Sequence, residues 1–77
     1  MKNTNTDVII HTKSPLNQEQ FEEVANRIRA IEGVIKFDRN SVKPNFIMVA
    51  YNAGQTKALT ILNKLIRLGF NASLVGI

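Results

Sequence analysis

At 77 residues, with a formal net charge of +4 and 44% hydrophobic residues, the chain has room for one domain around one core. It has no run of about 18 apolar residues that would span a bilayer, and its first six residues lack the basic-then-apolar order of a secretion signal. With neither feature, the expected class is a soluble, cytoplasmic domain; the absence of cysteine excludes disulfides and thiolate metal ligands but does not by itself indicate the redox compartment.

Residues 1–6 alternate Asn and Thr with nothing to bury, and are expected to form a flexible tail ahead of a single domain over 7–77. Asp7 to Lys13 carries the β-branched cluster Val8, Ile9 and Ile10 and is predicted to be a first strand. The stretch from Ser14 to Phe21 then leads into a helix. With Asn17 as the N-cap, Gln20 stands at the third helical position, where its side chain can return a hydrogen bond to the Asn17 backbone. Leu16 before the cap and Phe21 at the fourth helical position have the spacing of a hydrophobic staple.

The helix shows Phe21, Val24, Ala25, Ile28 and Ile31 at steps of three and four, one apolar stripe on a 3.6-residue period. Glu23 and Arg27 are spaced for a surface pair, and Gly33 is expected to end the helix. Val34 to Arg39 and Phe46 to Asn52 are predicted as two strands joined by the turn at Asn40 to Asn45, which makes them an antiparallel hairpin. A second helix follows, with Thr56 as its expected cap and Ala58, Ile61, Leu62, Leu65 and Ile66 as its buried stripe. It should run through Leu68 and stop at Gly69, after which Phe70 to Ile77 supplies a fourth strand.

The order strand, helix, strand, strand, helix, strand is the α+β, ferredoxin-like βαββαβ sandwich. Right-handed crossovers place both helices on one face of a four-stranded antiparallel sheet, with expected strand order 4-1-3-2.

Several spacings bear a family resemblance. They are Val24 in the first helix, Gly33 and Val34 after it, Val49 and Tyr51 closing the third strand, Ile61 and Leu65 in the second helix, then Gly69, Phe70 and Ala72. In these the chain resembles the heavy-metal-associated domain family, the copper chaperones and N-terminal metal-binding domains of metal-transporting P-type ATPases, from Val8 to Ile77. The resemblance implies a working loop of the form Gly-Met-x-Cys-x-x-Cys between the first strand and first helix. Counted back from Gly33 without a gap, its glycine falls on Ser14, its methionine on Pro15, and its two cysteines on Asn17 and Gln20. Neutral amides are poor ligands for the soft ions that a dithiolate binds, so the family's metal site is expected to be degenerate and a soft metal ion is not expected as a partner. No cofactor is expected.

His11, the single histidine, and Met48 are what remain as non-thiol metal candidates. Strand alternation turns Val8, Ile10, Ile47, Val49 and Tyr51 inward. It leaves Ile9, His11, Phe46, Met48, Val75 and Ile77 on the open side of the sheet. An antiparallel sheet covered on one side ordinarily shows water a polar second face, so an apolar one marks an interface with a partner protein or a second copy. A register slip of one residue would exchange the faces.

Charge supplies the remaining alternative. Residues 1–38 hold five Lys and Arg against all six acids, whereas residues 39–77 hold Arg39, Lys43, Lys57, Lys64 and Arg67 and no acid. A one-sign half could meet nucleic acid, with Lys57, Lys64 and Arg67 as its basic surface. Sheet-face RNA recognition needs stacking aromatics, and Phe46 alone is expected there, which argues against it. Acylphosphatases share the topology, but a catalytic arginine is expected in the loop after the first strand, where this chain offers Lys13. With no nucleophile and base spaced to act together, the chain is read as non-enzymatic.

Overall fold

The computed structural model describes residues 5–75. Its elements are β1 (Asn5–Thr12), α1 (Gln18–Arg29), β2 (Val34–Arg39), β3 (Phe46–Asn52), α2 (Ala58–Arg67) and β4 (Ala72–Val75). The sheet runs β2-β3-β1-β4 with every neighbour antiparallel, which is the expected order read from its other edge. β1 opens two residues earlier than expected, because Asn5 and Thr6 pair with Asn52 and Tyr51 and so are strand rather than tail. The rest of the expected tail, 1–4, lies outside the described residues.

Register decides which side chains meet. Val8 pairs with Val49 and Ile10 with Ile47, and all four are buried. They join Phe37 of β2, Tyr51 of β3, Val24, Ala25 and Ile28 of α1, and Ile61 and Leu65 of α2 in one cluster. Both helices therefore cover the same face of the sheet, as a single hydrophobic core requires. Leu16, just ahead of α1, is 5% exposed and closes one end of this core.

Element ends depart from expectation where backbone hydrogen bonding overrides the apolar pattern. α1 ends at Arg29 with Ala30 as its C-cap, and Ile31 and Val34 then make successive tight turns by donating to Ile28 O and Ile31 O. Gly33 is the turn residue after the helix and not its cap, with φ at +99°. Thr56 is not the cap of α2. That position belongs to Lys57, whose side chain makes no capping bond, while Thr56 is buried and sets its methyl group toward Gly33.

At the far end of α2, Gly69 N–H donates to Ile66 O and Phe70 N–H to Leu65 O. These two bonds form a Schellman motif, with Gly69 at φ +99° in the position that favours glycine. Phe70 is thereby committed to ending the helix, so β4 begins at Ala72 instead of Phe70. Ile66 is also corrected, being 48% exposed. It lies five residues beyond Ile61, about 140° round the helix, and shares its flank with exposed Leu59.

Candidate functional site

The segment between β1 and α1 is built as helix-capping apparatus. Asn17 has extended backbone, and its Oδ1 accepts from Gln20 N–H at 2.7 Å while its own N–H donates to Gln20 Oε1 at 3.0 Å. Both halves of the expected capping box are therefore present, and the two amide oxygens at these positions are each engaged by a backbone donor. Glu22 accepts from Gln18 Nε2 at 2.9 Å and so is tied to the first turn, whereas Glu23 and Arg27 form no ion pair.

A residue given no role by its sequence position secures this entrance. Arg39, at the end of β2, donates from Nη1 to Leu16 O at 2.7 Å and from Nη2 to Gln18 Oε1 at 2.9 Å. Its guanidinium also lies 4.7 Å from the centre of the Phe21 ring, which stacks on Phe37 at 5.5 Å. One planar fork thus holds the residue before the cap, the first residue of α1 and the aromatic of the staple. A cation at the end of the second strand carries no sequence signal for such a contact, because Leu16 and Arg39, 23 positions apart in the chain, meet only in the fold.

Asn45 does similar work on the other side of the loop. Its Nδ2 donates to Thr12 O at 3.0 Å and to Lys13 O at 3.3 Å, while its backbone O accepts from Thr12 N–H at 2.9 Å. Lys13 N–H in turn donates to Asn71 O. The chain leaving β1 is therefore pinned from the β2–β3 turn and from the approach to β4.

The uncovered face of the sheet carries a contiguous apolar strip. Ile9 stands opposite Met48 on β3 and opposite Val75 on β4, and the three are 43%, 40% and 37% exposed. His11 pairs with Phe46, their rings 5.1 Å apart and tilted by 48°, and Lys43 Nζ lies 5.7 Å from the Phe46 ring. A shallow hollow of about 200 Å³ over this strip is lined by Ile9, Phe46, Ile47, Met48 and the β2 end at Asp38, Arg39 and Asn40. Along its edge Lys36 and Asp38 are paired at 3.6 Å, on exposed side chains where such a pair contributes little. Ile77, expected on the same face, lies outside the described residues.

His11 and Met48 share this face without standing opposite one another: His11 is across from Phe46, and Met48 is across from Ile9. Among the described residues, no three of His, Asp and Glu come together as a potential metal cluster. The basic residues also divide. Lys64 and Arg67 line a groove between the helices together with Arg27 of α1, while Lys57 stands apart at the start of α2. Among the described residues no helix is long and apolar enough to cross a membrane.

No family model matches the sequence, and no curated protein matches it. Solved structures do. Oxidized MerP from Ralstonia metallidurans CH34 superposes with a TM-score of 0.80 at 17% identity, covering 94% of this chain and 99% of that one. A copper binding domain from HMA7, a P-type ATPase, gives 0.79 at 16% identity, covering 91% and 93%. The yeast copper transporter domain Ccc2a, solved in apo and Cu(I)-loaded states, gives 0.78 at 23% identity, covering 91% and 94%. At such identities these likenesses establish the fold, the two helices and open four-stranded sheet that the domains share.

Proposed function

We propose that this chain is a non-enzymatic, heavy-metal-associated-like domain with a degenerate metal site, acting by protein contact through the open face of its sheet. The observation that carries this reading is the strip Ile9, Met48 and Val75, apolar, exposed and continuous across three strands. Apolar surface of this kind is costly to leave in water, and it is the ordinary mark of an interface. His11 and Phe46 extend the strip, and the partner is a second copy or another protein that covers it.

The setting is heavy-metal transport in the cytoplasm, as a regulatory or structural domain. Support comes from the fold shared with MerP and with the copper domains of HMA7 and Ccc2a. The degenerate site is supported by the engagement of Asn17 and Gln20 with each other's backbone, since amide oxygens already accepting hydrogen bonds make poor ligands for soft ions. The reading implies no nucleic-acid partner, because the open face offers one aromatic ring besides His11.

The test is an NMR titration of the chain with Cu(I) and Zn(II), beside a measurement of molecular mass by sedimentation. Amides from Ser14 to Phe21 should stay unmoved by either ion, and any self-association should broaden Ile9, Met48 and Val75 and persist at high salt. Saturable shifts at Asn17 and Gln20 would overturn the degenerate-site reading. Metal-dependent shifts confined to His11 and Met48 would favour a non-thiol metal site on the sheet instead.

A further inference from the structure

The groove between α1 and α2 holds a concentration of positive charge that the fold itself does not use. Its volume is about 390 Å³, and it is lined by Arg27, Ala30 and Ile31 on one side and by Thr60, Asn63, Lys64 and Arg67 on the other. No carboxylate lines it, and the nearest acids along α1 and its following turn, Glu23 and Glu32, stand outside the lining. Among the described residues, none of its five polar side chains makes a hydrogen bond or ion pair. Three cations from the last turns of two helices thus line one groove, and no carboxylate lines it with them.

We propose that this groove is an anion site for a compact, multiply charged phosphate group, such as inorganic diphosphate or the terminal phosphates of a nucleotide. The like charges of Arg27, Lys64 and Arg67 repel one another, and an anion seated between them relieves that repulsion while gaining three attractions. Guanidinium forks match pairs of phosphate oxygens, and the lysine adds a mobile point charge. The Thr60 hydroxyl and Asn63 amide supply neutral donors on the α2 wall. Ala30 and Ile31 form the apolar part of the α1 wall.

Shape and composition select this class over the larger polyanions. The volume lies at the lower end of small-ligand sites. No aromatic residue lines the groove, so it lacks the stacking surface on which single-stranded nucleic acid is held. α2 carries no acid at all, so the field along that wall has one sign.

The experiment is an amide NMR titration of the full chain with inorganic diphosphate, ADP, a twelve-residue oligonucleotide and an oligoglutamate peptide in parallel. Diphosphate should give saturable shifts at Arg27, Ala30, Thr60, Asn63, Lys64 and Arg67, weakening as salt rises. Tighter binding of ADP would assign the phosphate to a nucleotide, and equal binding to the free anion; both support the site. Arg67→Gln and Lys64→Gln should each weaken diphosphate by roughly three- to tenfold, while Lys57→Gln, outside the groove, should leave it unchanged. The amide spectrum of each variant verifies the fold. The proposal is overturned if diphosphate does not saturate, if shifts spread evenly over all basic residues, or if oligonucleotide or oligoglutamate binds these residues more tightly.

Discussion

Two glycines with the same backbone torsion provide an internally controlled test of the packing behind the site. Gly33 and Gly69 both have φ at +99°, a conformation that costs a residue with a Cβ about 1–3 kcal/mol. Their surroundings differ completely. A Cβ on Gly69 would meet nothing within 4 Å, whereas one on Gly33 would stand 2.8 Å from Gln55 Cβ, 3.2 Å from Thr56 Cγ2 and 3.5 Å from Asn52 O. Because Gly33 O also accepts from Asn52 N–H at 2.7 Å, the approach cannot be relieved without opening the join between β2 and the β3–α2 loop.

Gly69→Ala should therefore cost about 1–3 kcal/mol, less the few tenths to 1 kcal/mol recovered from the stiffer unfolded chain. Gly33→Ala carries the same torsional cost and adds an overpacking cost of about 1–3 kcal/mol. The torsional part is common to both, so the difference between the variants isolates the clash. Urea unfolding followed by circular dichroism measures it as a shift in midpoint at constant m-value. Equal destabilisation of the two variants, within about 0.5 kcal/mol, would refute the claim that Gly33 is required for close approach. A changed m-value in Gly33→Ala alone would indicate altered compactness instead.

Other expectations concern the loop and the open face. Asn17→Ala should cost about 1 kcal/mol in the same urea assay, since it removes the acceptor for Gln20 N–H. Arg39→Ala should cost about 1–3 kcal/mol and raise amide exchange at Gln18 to Phe21, and Arg39→Lys should restore little of it, because a single ammonium cannot reproduce the fork over Leu16 O, Gln18 and Phe21. Ile9→Asp, at the centre of the exposed strip, should leave the urea midpoint within about 0.5 kcal/mol of the parent and abolish any self-association seen by sedimentation. The double variant Asn17→Cys, Gln20→Cys should acquire Cu(I) binding measurable by competition with a chromophoric chelator, while the parent shows none.

Much of the fold was legible because its signals are local and agree with one another. The stripe of α1, the β-branched run of β1 and the bounds of β2 and β3 all lie within windows where periodicity of 3.6 or 2 is unambiguous. The Asn17–Gln20 box was readable for the same reason, since cap and partner are three residues apart. What escaped depends on contacts across the chain. Thr56 has the chemistry of a cap, but its burial beside Gly33 is a tertiary fact, and burial removes it from the helix end. Ile66 is as apolar as Ile61, and only the direction of the sheet tells which of them faces inward.

The two clusters of charge illustrate the same limit at the level of function. Lys57, Lys64 and Arg67 are near neighbours in sequence, yet the fold separates the first from the others and replaces it with Arg27, thirty-seven residues from Lys64. Arg39 belongs by composition to the basic half of the chain, yet its guanidinium is occupied in holding the β1–α1 loop.

The entrance to α1 is held by the chain's own groups. In a helix entered at Asn17, the first backbone N–H groups need an acceptor whether or not an ion is bound nearby. Asn17 Oδ1 supplies one, Gln20 Oε1 satisfies the donor of the cap itself, and Arg39 holds the preceding residue from a different strand. Each contact is made by protein atoms alone, so the entrance to α1 is stable without a ligand. The surfaces these contacts leave open lie elsewhere, on the apolar strip of the sheet and in the cationic groove between the helices.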